Sequence, residues 1–378
     1  MQSPNFPIAA KNMAALQRMA ALTLLGVMVV GAWQSFSAAK NIDAKTLPSS
    51  LSDFREGRTT VALEKQIDQK LPVRNALIAT ANSLRFLLTN GAGEQVRVGK
   101  QGWLFLTDEL RFDANGNSNF KARIDLLDTA TRRLDALGVK LVVALIPDKA
   151  RVYSEKLSSG QFPEYNHARY QDALSALRAQ GAIAIDLLAP LTSAAANSEV
   201  YYRTDTHWNQ AGARIAAQTI ATAVRQLPIQ IEDTQFSTTV ATDVTERSGD
   251  LIRLMGLENT PVFFRPRADF EASSTTIPLS TDSPDALFGD AGVSVVLTGT
   301  SYSLRGNFHG YLQQALGAKV LNAAKDGGGF LQAMTDYLKD DSFRLAKPKV
   351  IVWEIPERFV RNDLNGEPTW FEDVGLPR

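Results

Sequence analysis

The strongest constraint on this chain is a repeating alternation. Five short runs are apolar almost throughout: Val139–Pro147, Ala182–Leu188, Val293–Gly299, Ala318–Ala324 and Pro348–Pro356. Helix-periodic segments stand before, between and among them: Phe120–Gly138, His167–Gly181, Asn209–Leu227, Asn307–Gly317 and Gly329–Asp341. A strand with no polar face is covered on both sides. Such strands alternating with helices therefore predict an α/β fold with a parallel sheet between two helical layers. Residues 228–291 break the rhythm. They are rich in Thr, Ser and Asp and hold short β-like pieces such as TPVFFRP, so they read as a partly β insertion.

Upstream, Val96–Leu110 reads as strand, glycine turn and strand, with Gly99 and Gly102 bracketing the turn. Arg55–Asn90 has helical periodicity interrupted at Pro72, which predicts two helices. Asn41–Ser52 is polar and reads as a linker. Met19–Ala39 begins with an uninterrupted apolar run, preceded by Lys11 and Arg18 and by no acidic residue. Positive charge before an apolar run is the pattern of an export signal or membrane anchor. Extended to Ala39, the run reaches roughly 20 residues, enough to cross a bilayer. Ser37-Ala38-Ala39 also has the small-x-small form of a cleavage site, and a buried helix is the third reading. The expected organisation is an anchor or signal over 1–40, a helical linker region over 41–95, and a catalytic domain over 96–378. Either main reading of the N-terminus puts the rest of the chain outside the cytoplasm.

Lys and Arg number 40, as do Asp and Glu, so the net charge is zero. That gives no support to a nucleic-acid partner, which wants a basic face. There is no cysteine, which removes disulfides, thiolate metal sites and a Cys nucleophile together.

In open α/β sheets, sites form at the carboxyl ends of strands. The strongest residues there are Ser301, in VVLTGTSYS, and the pair Asp205 and His207, in YYRTDTHWNQAG. A serine hydroxyl needs a base, and the base needs an orienting group. Asp205 and His207, two apart in an extended loop, point to one side and could supply both. The chain has only three histidines; His167 and His309 lie in helical segments without that partner. Plainer readings stand beside this one. Ser301 could be a turn or cap residue. Asp205 could serve helix entry, with Asn209 as N-cap, or form half of a metal site, although histidines are scarce for one. Trp208 could pack or stack on a sugar. Asp326–Gly329 could be a turn, or could let substrate approach backbone N–H groups.

Together, GKQGWLFL, LVVALIPDKARVYSEKL, YYRTDTHWNQAGA, GDLIRLM, LTGTSYS, NAAKDGGG and VWEIPERF resemble the bacterial alginate O-acetyltransferase family, AlgJ and AlgX, whose fold is SGNH-hydrolase-like. The resemblance covers most of the chain and is nearer the membrane-anchored AlgJ-like members, because little sequence follows VWEIPERF. It implies a catalytic triad of Ser301, His207 and Asp205, in the chain order Asp–His–Ser. It implies a periplasmic enzyme, anchored to the inner membrane, that moves acetyl groups onto an exopolysaccharide such as alginate through an acetyl-serine, with no cofactor and no metal. Expected partners are the polysaccharide acceptor, a membrane-bound acetyl-transfer protein and other exopolysaccharide machinery. Backbone N–H groups at Ser301 and near Gly328 are the expected oxyanion donors. Tyr302, Arg305, Trp208 and Arg358 are candidate contacts for an anionic sugar or a partner. The same triad would also serve a carbohydrate acetylesterase, and a non-catalytic scaffold of a secretion complex is the reading without chemistry.

Overall fold

In the computed structural model the five apolar runs form one parallel sheet. Its strands are β3 (Lys140–Ile146), β4 (Ile183–Asp186), β7 (Val295–Thr298), β8 (Val320–Asn322) and β9 (Val350–Pro356), in the order β4-β3-β9-β7-β8. The remaining strands are β1 (Val96–Val98), β2 (Leu104–Leu106), β5 (Phe236–Arg247) and β6 (Asp269–Pro278). The structure describes residues 42–70, 74–279 and 293–364, with positions 25, 26, 28, 29, 31–34, 36, 37, 40, 370 and 374. They fall into two units, one ending at Ser83 and one beginning at Leu84.

The first unit contains the helices Leu51–Arg55 and Arg58–Lys70 and the start of Arg74–Thr89. Ser50 opens the first with a capping box: its hydroxyl accepts the Asp53 N–H at 3.1 Å, and Asp53 Oδ2 accepts the Ser50 N–H at 3.0 Å. The start of the apolar segment at Met19–Ala39 and the break at Pro72 lie outside the described residues. Among the described residues no helix is long and apolar enough to cross a membrane.

The sheet of the second unit is apolar on both faces because each face meets its own helices. On one side Val142, Ala144 and Ile146 join Val352 and Leu297 against the helices Gln210–Arg225 and Phe308–Leu316. On the other, Leu141, Val143 and Leu145 join Ile351 and Trp353 against Gly116–Ala136, Arg169–Ala179 and Gln332–Lys339. Successive strand residues face opposite ways, so both alternating sets must be hydrophobic. Each fully buried aliphatic side chain contributes about 1.5–3 kcal/mol relative to exposure, and both layers depend on that burial.

Between residues 228 and 291, β5 and β6 pair antiparallel, with a register shift between Val240 and Val244 that marks a bulge. The ribbon is rich in β-branched Thr, which suits an extended, largely exposed pair. The short ribbon β1–β2 packs with the Asp250–Leu254 helix around Leu104, Leu251, Ile252 and Met255.

Buried charges lock the ends of β3 and β9 together. Arg169 donates to Asp148 Oδ2 at 2.5 Å and to Glu357 Oε1 at 3.0 Å, and Arg151 donates to both Glu357 oxygens at 2.8 and 2.5 Å. Ala150 N–H donates to the buried Glu109 Oε2 at 2.9 Å. Burial pushes the Asp148 carboxyl up, with Arg169 opposing it. The hydrogen bonds from Arg151 and the Arg169 charge overcome burial at Glu357 and hold it below the usual range.

Candidate active site

The Tyr201–Trp208 loop closes on itself and is held from every side. Tyr201 and Trp208 form an antiparallel bridge, and Tyr202 N–H donates to His207 O at 3.2 Å. Asp269, at the start of β6, accepts the N–H groups of Arg203 and Thr204 at 3.1 and 3.0 Å. Lys149, fully buried just past β3, donates to the carbonyls of Tyr202, Arg203 and Asp205 at 3.1, 3.3 and 2.6 Å. Phe105 and Trp103 lie 5.3 and 5.7 Å from its ammonium. Asn209 caps the next helix, its side chain accepting the Gly212 N–H at 3.0 Å. A Cβ at Gly249 would lie 2.0 Å from Thr204 O, so the Gly249-Asp250 turn can press against this loop only as glycine.

Ser301 follows β7 on a separate loop. Gly299, at φ +153°, passes so close to β9 that a Cβ would lie 2.5 Å from Glu354 Oε2. Glu354 accepts the Thr300 N–H at 2.6 Å, the Thr300 hydroxyl at 3.0 Å and the Ser303 hydroxyl at 3.1 Å. Ser301 therefore begins a short 3-10 turn, Ser301–Leu304, with its backbone direction fixed from below. Its own backbone N–H has no hydrogen-bond partner among the described residues.

The two loops meet. His207 Nε2 lies 2.7 Å from Ser301 Oγ, and His207 Nδ1 lies 2.5 Å from Asp205 Oδ1. Asp205 Oδ1 also accepts the His207 backbone N–H at 2.9 Å, and Oδ2 accepts the Asp250 N–H at 3.1 Å. With a carboxylate facing Nδ1, the proton belongs on Nδ1 and Nε2 is the acceptor for the serine hydroxyl. Burial alone would raise the Asp205 carboxyl. The hydrogen bond and charge of His207, with the two backbone N–H groups, outweigh it and hold Asp205 well below the usual carboxylate range. The arrangement can take a proton from a hydroxyl, orient the resulting imidazolium and return the proton to a leaving group.

A cavity of about 570 Å³ opens over Ser301 and His207. Its wall includes Arg247, Arg253, Arg305, Arg358 and Gly327–Gly329. Arg305 is ion-paired to Asp326 at 3.0 Å, joining the Ser301 loop to the glycine loop. Arg358 is buried, 3.7 Å from Asp148 and over the rings of Tyr302 and Phe359 at 5.8 and 5.0 Å.

Three expectations from sequence need correction. Trp208 is fully buried, does not line the cavity, and donates its indole N–H to Tyr302 O at 3.2 Å, so it offers no stacking face. Tyr302 is also fully buried; its hydroxyl donates to Thr206 O at 2.7 Å, tying the two loops together. Gly328 lines the cavity, but its N–H turns back to Lys325 O at 3.3 Å rather than toward Ser301. The other histidines are engaged elsewhere, His167 Nε2 with Phe162 O and His309 Nε2 with Val320 O, each at 2.7 Å.

Sequence reasoning gave no role to Asp250, Lys149 or Glu354. Lys149 and Glu354 were visible as charged residues at strand ends, whereas Asp250 sits in the insertion, where GDLIRLM marked it only as part of a family-like stretch. Asp250 Oδ1 accepts the Thr206 N–H at 2.8 Å and Oδ2 the Thr206 hydroxyl at 2.5 Å; Oδ2 also lies 3.7 Å from His207 Nδ1. Burial and then the Asp205 charge push its carboxyl up, against His207 and the Thr206 bonds. Asp205, His207 and Asp250 offer ligand atoms within 4.8 Å of one another, as a metal site would. All four carboxylate oxygens, however, already accept N–H or O–H donors, which fits a hydrogen-bonded acid–base unit.

Residues 96–357 match the family described as "SGNH hydrolase-like domain, acetyltransferase AlgX". The chain is 34% identical over 365 residues to "Probable alginate O-acetylase AlgJ" of Pseudomonas syringae pv. tomato, covering 94% of this chain and 91% of that one. The Pseudomonas aeruginosa protein of the same name is 35% identical, with 80% of each chain covered. Among solved structures, the O-acetyltransferase domain of Pseudomonas putida AlgJ aligns with a TM-score of 0.65 at 34% identity, covering 74% of this chain and 98% of that one. Pseudomonas aeruginosa AlgX, at 24% identity and a TM-score of 0.57 over 74% of this chain and 66% of that one, shares the fold. The parallel sheet, the two strand-end loops and the match over residues 96–357 together lead to one conclusion: this chain belongs to the SGNH hydrolase-like acetyltransferase family of AlgX and AlgJ.

Proposed function

We infer that this protein is an O-acetyltransferase that esterifies hydroxyls of alginate or a related exopolysaccharide through an acetyl-Ser301 intermediate. The observation that carries the reading is the 2.7 Å contact between Ser301 Oγ and His207 Nε2, with Asp205 on the far nitrogen. His207 takes the Ser301 proton as Oγ attacks the donor carbonyl. The negative charge that develops on the carbonyl oxygen is met by the Ser301 backbone N–H. Collapse expels the donor's leaving group with the proton from His207. A sugar hydroxyl then enters, gives its proton to His207 and attacks the acetyl-serine, and His207 returns that proton to Ser301 Oγ.

The substrate reading is supported by relatives named "Probable alginate O-acetylase AlgJ". The cavity wall carries Arg247 and Arg253, which can meet carboxylates of an acidic polymer, beside Asp250 and Glu258. The apolar segment at Met19–Ala39 supports anchoring to the inner membrane, with the site in the periplasm. A donor on that side calls for a membrane-bound acetyl-transfer partner and contact with the polymer's export machinery.

The test is mass spectrometry of Ser301 after exposure to an activated acetyl ester, in wild type and His207→Ala, followed by addition of alginate oligosaccharides. Acetyl on Ser301 in wild type alone, and then on the sugar, is expected. Free acetate as the sole product across several polymers would make the protein an esterase. Full activity in folded Ser301→Ala would make it a scaffold for chemistry done elsewhere.

A further inference from the structure

We propose that Asp250 is a positioning residue of the acid–base unit, a second carboxylate that steadies the His207 imidazolium alongside Asp205. The proposal rests on the triad reading and goes beyond it, because Asp205 alone satisfies the usual three-residue pattern.

Asp250 meets the unit at three points. Its backbone N–H holds Asp205 Oδ2 at 3.1 Å. Its carboxylate grips Thr206, the residue between Asp205 and His207, through both N–H and hydroxyl at 2.8 and 2.5 Å. Its Oδ2 stands 3.7 Å from His207 Nδ1, close enough for a charge to favour the imidazolium. The Gly249 contact with Thr204 fixes that approach, since no side chain fits there.

The charges around the ring give this placement a purpose. Facing His207 are Asp205 from its own loop, Asp250 from the neighbouring helix, and the Tyr302 ring at 4.8 Å from the loop after β7. Lys149 lies behind Asp205 and Arg358 behind Tyr302, while Arg247 and Arg253 line the cavity. Asp205 and Asp250 are the two carboxylates that face the ring, with Lys149 set behind them against Glu109 and Asp269 as well. When the ring takes the serine proton it becomes the cation nearest to both. The imidazolium attracts both carboxylates and so offsets their mutual repulsion at the step where His207 acts as base.

The experiment is the pH profile of kcat/KM for acetyl transfer from a small activated ester, in wild type, Asp250→Asn and Asp250→Glu, with folding checked by thermal unfolding. Asn keeps an acceptor for Thr206 and removes the charge. Asp250→Asn should lower kcat about tenfold with little change in KM, and should move the acidic limb to lower pH by roughly one unit. Asp250→Glu should restore the limb toward its wild-type position. Asp250→Ser replaces the Asn variant should that fail to fold, judged by the same limb. An acidic limb that stays in place overturns the proposal, whether or not activity falls, because a structural role lowers activity without moving it. Failure of the triad reading shows separately, as retained activity in Ser301→Ala.

Discussion

Glu354, within β9, holds the residue next to Ser301: Oε2 accepts the Thr300 N–H at 2.6 Å. The Ser301 loop after β7 is therefore anchored by the neighbouring strand. Glu354→Ala would leave that buried N–H without an acceptor and cost about 1–3 kcal/mol. Glu354→Gln keeps an acceptor and should lose less. Burial raises the Glu354 carboxyl, with the Thr300 and Ser303 bonds opposing it. A carboxyl raised on folding contributes stability that is full below its unfolded value and is lost as pH rises through the folded one. The Gln variant should therefore gain on wild type as pH rises, which chemical denaturation at pH 5 and pH 8 will read.

Asp205 has the opposite sign. Its carboxyl is depressed on folding, so its contribution is present above the unfolded value, near 4, and is lost as pH falls through the folded one. Asp205→Asn should be less stable than wild type at pH 7, with the difference shrinking below about pH 4. Denaturant midpoints at pH 7 and pH 3 measure it. Acetyl transfer should fall by about four orders of magnitude at neutral pH, as when the carboxylate of a related triad is neutralised.

Lys149 tests positioning against stability. Lys149→Met removes the donor shared by three carbonyls, a cost of about 1–3 kcal/mol, but also removes a buried ammonium that is costly to desolvate. Glu109, Asp205, Asp250 and Asp269 also lose a cation, which outweighs that saving, so the melting temperature should fall. The Asp205 carbonyl loses its donor, and kcat should drop while KM for the ester stays within about twofold.

Trp208→Phe separates packing from sugar contact. It loses the indole bond to Tyr302 O, worth about 1 kcal/mol. Because Trp208 does not line the cavity, KM for the oligosaccharide acceptor should be unchanged. A large rise in that KM would return Trp208 to the substrate surface.

Much of this was legible in the sequence because it is local. Apolar runs such as Lys140–Ile146 and Val350–Pro356 announce buried strands, and Asp205, His207 and Asn209 announce a loop entering a helix. Strand order is not local. Nothing in Val350–Pro356 says that it lies between β3 and β7 rather than at an edge. The same limit hid Lys149 and Glu354, whose partners lie more than fifty residues away along the chain. The packing reading of Trp208 holds, and its sugar-stacking alternative and the contact role of Tyr302 fail for a related reason. An aromatic beside a reactive residue looks available in sequence, whereas each spends its polar atom fastening one loop to the other.

The place of β9 also bears on how the protein comes into being. β9 is the last strand of the sheet to be synthesised, yet it pairs with β3 on one side and β7 on the other. Until it inserts, the loop carrying His207 and the loop carrying Ser301 belong to halves with no common sheet. Asp205, His207 and Ser301 all precede the strand that joins their two halves of the sheet. A chain that ends before β9 keeps both loops and lacks the one strand that pairs with each half of the sheet.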